Sequence, residues 1–389
     1  MLLAFTAGFA MSQAFRTLAA IVAPPLQQSL GLTPGQLGVF AGVFHLAFGS
    51  LQIVTGVGID IWGARRTMLA VFPLAVVGAL VAAGANGYGQ LVLGQALIGV
   101  GCAPAFVVCT VFIARRFPAE RFAAVSGAVL GLGSVGMLLT GTPVAWLVAG
   151  TSWRAAYGVL AAASALAWLA VWRVVREDPP AADQRPAVLP ALRGYVDLLR
   201  LPHTWGILAL ALVTYASFLT LRGLWLGPLL VERHTFTLVS AGHVALAVSL
   251  IAMVGPPIFG RLDPGPLRRR RWIVGYTMLT AGLFMVLAAS RRPVPDVALV
   301  LAITAVTGYI VLQYADLRSA YPTEMAGRAM ALFTMAMFLG VGLVQWLTGL
   351  AASAAQAVGW EPYGLVFTAT ALLLAGGTAV FVRVPVARA

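Results

Sequence analysis

The 389-residue chain has no lysine, only 12 acidic residues, two cysteines and four histidines. Each scarcity excludes something. Charged residues make up 10% of the sequence and hydrophobic ones 60%, with a mean hydropathy of +0.93. A soluble domain carries roughly a quarter charged residues, so the class is a membrane protein. Cys102 and Cys109 lie within one apolar segment, about 10 Å apart along a helix axis and too far for a disulfide. Four dispersed histidines form no metal-ligand cluster, so neither a metal nor another cofactor is expected. No nucleophile–base pair and no paired carboxylates fall in the apolar segments, which argues against an enzyme. All the acidic residues, from Asp60 to Glu361, map to loops or segment ends, Asp316 coming nearest to an interior. A carrier of cations needs a buried carboxylate to neutralise its cargo, and neither half of the chain supplies one.

The net charge of +13 rests wholly on 25 arginines. They punctuate apolar runs instead of clustering on a surface, which excludes nucleic acid as a partner and fits membrane topology. Apolar stretches of bilayer-spanning length, about 20 residues, recur near 3–27, 36–58, 67–86, 90–113, 122–149, 153–175, 205–230, 237–260, 272–290, 295–315, 328–353 and 362–382. The polar stretch 176–204 separates six from six. It reads as a cytoplasmic linker between an N-terminal bundle, 1–175, and a C-terminal bundle, 205–389. Alternate loops hold 19 of the arginines, among them Arg65, Arg66, Arg115, Arg116 and Arg268 to Arg271, against four in the opposite loops. The positive-inside rule then places both termini in the cytoplasm of a bacterial-type inner membrane.

The two remaining arginines, Arg16 and Arg222, lie deep in the first and seventh apolar runs. Each precedes prolines, Pro24 and Pro25 in one half and Pro228 in the other. A charge at bilayer depth costs about 2.5–3.5 kcal/mol on insertion scales, so it persists where it has a use. Guanidinium is a planar fork of donors suited to carboxylate, phosphate or sulfonate. With no countercharge in the spans, the pair points to an anion; the alternative is that each locks helices through backbone carbonyls. Gln13, Gln95, Tyr215, Tyr309 and Gln313 are the polar candidates for contacting the rest of a solute, Gln95 equally for an interhelical hydrogen bond. His45 and His243 are the intramembrane groups that titrate near neutrality, hence candidates for proton coupling, with simple packing as the alternative for each.

The second span ends Gly56-Val57-Gly58-Ile59-Asp60-Ile61-Trp62-Gly63-Ala64-Arg65-Arg66. This resembles the loop signature of the major facilitator superfamily, and Gly260-Arg261-Leu262-Asp263 followed by Arg268 to Arg271 echoes it after the eighth span. The resemblance implies an all-α membrane protein of twelve transmembrane helices in two pseudo-symmetric six-helix bundles, with alternating access to a site near the midplane. It also implies gating by Gly56, Asp60, Arg65 and Arg66: the glycine for close helix approach, the aspartate for pairing with arginines. Arg16 with Pro24 is similar to the organophosphate:phosphate antiporters, which place a substrate-binding arginine in spans one and seven. Gln52 stands where that branch tends to have lysine, and Arg222 lies closer to its proline than usual there, so the kind of anion stays open.

The expectation is a secondary active transporter of a small organic anion, a carboxylate, phosphate ester or sulfonate, clamped between Arg16 and Arg222. Its partners are that solute, protons or a counter-anion, and the lipid bilayer, the protein being a monomer. The alternatives are proton-coupled efflux of a hydrophobic or zwitterionic compound, and a transporter-like ligand sensor.

Overall fold

The computed structural model describes residues 1–176 and 188–384, and among them every regular element is helical. The first is α1, Leu2–Leu30, which ends on Gly31 in the left-handed conformation (φ 64°). Thr33 opens α2 with a capping box to Gln36 and Pro34 at its first position, satisfying helix N-terminal donors that have no intrahelical acceptor. α2 bends by 42° at Leu51 into Pro34–Ser50 and Gln52–Trp62. There follow α3 (Ala64–Ala83), α4 (Tyr88–Arg116), α5 (Val125–Gly150) and α6 (Trp153–Val174). After a linker helix, Val188–Leu199, come α7 (Pro202–Arg233), α8 (Leu238–Arg261), α9 (Pro266–Ala289) and α10 (Pro293–Ala320). α11 (Thr323–Ala357) and α12 (Pro362–Arg383) complete the chain. The stretch expected as a plain linker thus contains a helix, and α7 already begins at Pro202; residues 177–187 lie outside the described residues.

Ten of these stretches are long and apolar enough to cross a membrane, and the bent α2 makes an eleventh. α1 has 29 residues, about 43 Å of helix at 1.5 Å per residue. Ser12, Gln13, Arg16 and Thr17 dilute its apolar character, and all four are buried inside the protein. An even number of crossings puts both chain ends on one side, here the terminal side; the opposite one is the far side.

The two six-helix halves meet on the far side. On α2, a Cβ added to Gly38 would stand 2.5 Å from the Gln345 carbonyl and 2.9 Å from Gly349 Cα; at Gly42 it would stand 2.7 Å from the Gly342 carbonyl. Only glycine lets the backbones of α2 and α11 come this close. The second seam is built alike, Gly141 of α5 against Leu246 of α8 and Gly242 of α8 against Ala145 of α5. Towards the terminal side the same four helices part. Gly56 on α2, Gly127 and Gly131 on α5, Gly260 on α8 and Gly327 on α11 have nothing within 4 Å of an added Cβ. Gly56 therefore has no close helix partner in this structure. The structure is closed on the far side and splayed on the terminal side.

The signature loops are pinned differently in the two halves. Asp60 meets Arg115 at 3.8 Å with both side chains largely exposed, a pair of small energetic weight. Arg65 donates to the Trp172 carbonyl at 3.1 Å, while Arg66 is exposed. In the echo, Asp263 takes Arg269 in a fork at 2.7–3.1 Å and caps the Gly265 N–H at 3.1 Å. These hydrogen bonds hold the Asp263 carboxyl below the usual carboxylate range.

Closure of the far side requires a hydrogen atom where Gly42 has it. A Gly42→Val variant overpacks the α2–α11 contact by about 1–3 kcal/mol, shifting the equilibrium toward far-side opening about 5- to 150-fold. Thiol labelling of a Ser353→Cys reporter in that background measures it, since the native Cys102 and Cys109 are buried. Labelling as slow as with Gly42 would show that the seam is not sterically set.

A buried arginine pair as candidate anion site

Arg222 sits in an unusual stretch of α7. Leu221–Trp225 and Leu229–Arg233 are wound as π-helix on either side of Leu226–Pro228, and the Leu226 N–H reaches back to the Leu221 carbonyl. Pro228 has no N–H and blocks regular α winding; such wide turns recur at functional sites. The Arg222 side chain is completely buried. Its Nε and Nη2 donate to Ser249 Oγ on α8 at 3.2 and 3.1 Å, and Nη2 also to the Met137 carbonyl on α5 at 3.3 Å.

That carbonyl is free because α5 breaks there. The Gly141 N–H, which in an unbroken helix would bond Met137, instead donates to the Leu138 carbonyl at 3.1 Å. Pro143, two residues on, offers no N–H at all. Thr140 Oγ1 also donates to the Met137 carbonyl, at 3.1 Å, and bonds Thr17 on α1 at 2.5 Å. A kink in one half thus presents an acceptor to an arginine of the other.

Arg16 occupies the matching place on α1 but with different neighbours. Its guanidinium carbon stands 4.5 Å from the Phe48 ring centre on α2 and 4.6 Å from that of Phe338 on α11. Nη1 donates to Gln13 Oε1 at 2.6 Å and Nη2 to Ser12 Oγ at 3.3 Å, one helical turn back on the same face. Tyr215 of α7 adjoins it. Each arginine therefore lies between a helix of its own half, α2 or α8, and a helix of the other, α11 or α5. The two-fold relation expected from the sequence holds at the level of contacts.

Both guanidinium groups are left incomplete. Arg16 Nε and Arg222 Nη1 are buried without a hydrogen-bond acceptor, and neither forms an ion pair among the described residues. An unpaired buried N–H on a cation is costly. Carboxylates are buried elsewhere, contrary to the sequence reading that none would be. Asp296, at the start of α10, is 0% exposed and meets Arg233 at 3.1 Å and His234 at 2.7 Å. Asp316 is buried against Arg270 at 3.3 Å. Each is matched to its own cation, so neither is free to neutralise cationic cargo.

The other candidate residues divide. Gln13 and Tyr215 accompany Arg16. Gln313 on α10 accepts from Thr214 of α7 at 3.2 Å and leaves its Nε2 buried and unpartnered. Gln95 donates to Tyr157 of α6 at 3.3 Å inside the first half and leaves its Oε1 buried and unpartnered. The Tyr309 hydroxyl pairs with Thr277 of α9 at 2.7 Å and its ring stacks on Tyr276, which turns it into the second half's core and away from the arginines. His45 is buried at the α2–α11 seam. His243 is exposed near the start of α8, since that face of the helix carries no partner, so it is no buried relay. Sequence reasoning missed Ser12, Phe48, Phe338, Ser249 and the Met137 carbonyl. Ser12 was findable from its i−4 spacing to Arg16; the rest require the fold.

These features define a multi-pass, all-helical membrane protein of two matched six-helix halves with a cationic, carboxylate-free centre. The profile described as Major Facilitator Superfamily matches residues 4–345, and the chain belongs to that family. It is similar to the "Probable sulfoacetate transporter SauU" of Cupriavidus necator, 26% identical over 41% of this chain and 37% of that protein. A "Hexuronate transporter" of Bacillus subtilis is 26% identical over 42% of this chain and 39% of its own length. The chain therefore spans about two fifths of the length of these relatives. The Escherichia coli K12 "Hexuronate transporter" aligns more broadly, 24% identical over 67% of this chain and 63% of that one. Among solved structures, a bacterial homologue of the human lysosomal transporter Spinster, inward-facing and occupied, superposes with a TM-score of 0.75 at 16% identity, covering 98% of this chain and 95% of that one. A D-xylose-proton symporter gives 0.71 at 15% identity, covering 96% of each chain.

Ser249 supplies two of the three hydrogen bonds that Arg222 makes. Ser249→Ala is expected to lower stability by about 1.5–3 kcal/mol, the usual worth of hydrogen bonds to a charged group. Thermal unfolding of the purified protein measures this; no change would mean that the Met137 carbonyl alone holds the guanidinium.

Proposed function

We propose that this protein is a secondary transporter that carries a small organic anion by alternating access, with Arg16 as its principal ligand. The observation that supports this most is the incomplete guanidinium: a buried cation with an N–H that has no acceptor and no carboxylate beside it among the described residues. A carboxylate, phosphate ester or sulfonate supplies the missing acceptor and charge in one group. Phe48 and Phe338 pack edge to face with their ring centres 4.5 Å apart and both lie against one side of the Arg16 fork, which leaves its other side for the anion. Gln13 and Tyr215 are the neighbours placed to contact the rest of the solute. The names of the relatives, transporters of sulfoacetate and of hexuronates, denote organic anions and agree with this chemistry.

Arg222 has a different part in this reading. Its donation to the Met137 carbonyl crosses from one half to the other on the closed side, as a latch does. Opening the far side withdraws that carbonyl and frees the guanidinium for the anion. With both termini in the cytoplasm, as the arginine distribution indicates, the structure is the state open to the cytoplasm, and the membrane is the inner one.

The test is uptake of galacturonate and of sulfoacetate into proteoliposomes. Truncating one partner of a desolvated charged contact costs about 2–5 kcal/mol, so Arg16→Gln should weaken anion binding about 30- to 5,000-fold. Arg16→Lys keeps the charge but not the fork, and is expected to recover only part of the loss. Uptake by Arg16→Gln equal to that of the unaltered protein would sink the assignment.

A further inference from the structure

His45 is a titratable side chain in the seam between the two halves, and its geometry is specific. Nδ1 lies 3.2 Å from the Ala41 carbonyl, one turn back on α2, and 3.1 Å from Gln345 Oε1 on α11. A main-chain carbonyl can only accept, so the hydrogen sits on Nδ1, and Nε2 presents a lone pair. Nε2 is buried and has no partner, as is Gln345 Nε2. The imidazole lies parallel to the Phe338 ring, 7° between planes and 6.5 Å between centres. Phe338 is the same ring that stands over Arg16 at 4.6 Å. Histidine and arginine therefore share one buried, aromatic-walled compartment, and the arginine's charge is felt at the imidazole.

The groups around His45 are Phe44 and Ala41 on its own helix, Arg16 on α1, Gln345 and Phe338 on α11, and Tyr215 of α7 against the far edge of Phe338. Beyond Arg16 lie Cys102 of α4 and Tyr314 of α10. The only permanent charge in this set is Arg16. We propose that His45 is the proton site of the transport cycle, taking a proton at Nε2 together with an anion on Arg16. This rests on Arg16 being the anion ligand.

The coupling follows from charge. With the site empty, a proton on Nε2 puts a second buried cation beside Arg16, and the new N–H has no acceptor among the described residues. An anion on Arg16 cancels the first charge and brings acceptor oxygens into the same compartment. The proton comes from bulk water on one side and returns to water on the other; no other bond is made or broken. Empty, the compartment carries one positive charge, that of Arg16. Loaded with a monoanion and a proton, it again carries one. The two states that must reorient, empty and fully loaded, meet the same electrostatic cost, whereas the half-loaded states do not. That equality lets the protein return empty at the same electrostatic cost at which it moves fully loaded.

The experiment uses the full chain in proteoliposomes with labelled galacturonate, a monoanion at neutral pH, comparing accumulation driven by an inward proton gradient with exchange at equal pH. His45→Gln keeps a donor toward Gln345 but cannot titrate, and His45→Asn serves as a second variant should the first unfold. The expected result is at least a 10-fold fall in the ratio of gradient-driven accumulation to exchange, and loss of its pH dependence between pH 6 and 8. Arg16→Gln, by contrast, is expected to lose accumulation and exchange alike. Proton-driven accumulation by His45→Gln with an unchanged pH profile overturns the proton assignment and leaves the anion reading standing. Exchange surviving in Arg16→Gln overturns the anion reading itself.

Discussion

A guanidinium buried without a carboxylate is the constraint on which the rest of the centre depends. Taking a cation out of water is expensive unless fixed dipoles or a counter-ion replace the hydration shell. Around Arg16 the replacement is partial: two aromatic faces, an amide oxygen and a hydroxyl. Around Arg222 it is one serine and one carbonyl that a helix break has set free. Neither arrangement completes the fork. Elsewhere the same chain sets a carboxylate against its buried arginines, Asp296 against Arg233 and His234, and Asp263 against Arg269. At each of these arginines the protein supplies an acid. At the centre it does not, and the difference is chemical information about the solute.

The second consequence is that site and gate share atoms. Phe338 covers Arg16 from the opposite half, and the Met137 carbonyl holds Arg222 from the opposite half. Both contacts bridge the halves while the far side is closed, and closure itself depends on glycine backbones touching at Gly38, Gly42, Gly342 and Gly349. Separating the halves therefore removes part of the solvation of both cations at once. Under the proposed function this links loading to reorientation without a long-range pathway: the ligand replaces contacts that the movement takes away. A bistable seam biased by local contacts is sufficient for such a link.

Much of this was legible in the sequence, for identifiable reasons. Hydropathy and the arginine pattern give the number of spans because a bilayer allows few alternatives to a 20-residue helix. The two intramembrane arginines stand out because charge is so costly there. What stayed hidden depends on the register of distant helices. The freed carbonyl at Met137 arises from a break four residues later, and nothing in the sequence says that Arg222 will meet it. Asp296 reads as a loop residue because it begins a helix after Pro293; that Arg233 and His234 fold over it is a tertiary fact. Gly56 was read as a packing glycine, yet packing depends on which state the halves adopt, and on the terminal side they stand apart. His243 and His45 look alike as isolated histidines in apolar runs. Only the rotation of each helix separates an exposed ring from one held in the seam.

The duplicated plan also shows how the halves diverged around one geometry. Each arginine sits between the second helix of its own half and the fifth helix of the other, as a two-fold axis demands. α11 runs unbroken past Phe338, so no backbone carbonyl is released and an aromatic face does the covering. α5 breaks at Gly141, releases a carbonyl, and turns the equivalent contact into a hydrogen bond. An aromatic face stabilises a cation while leaving its in-plane donors open; a carbonyl occupies a donor outright. The N-terminal arginine thereby keeps more of its fork for a ligand and the C-terminal one holds the seam, so that two residues made equivalent by duplication now divide binding from latching.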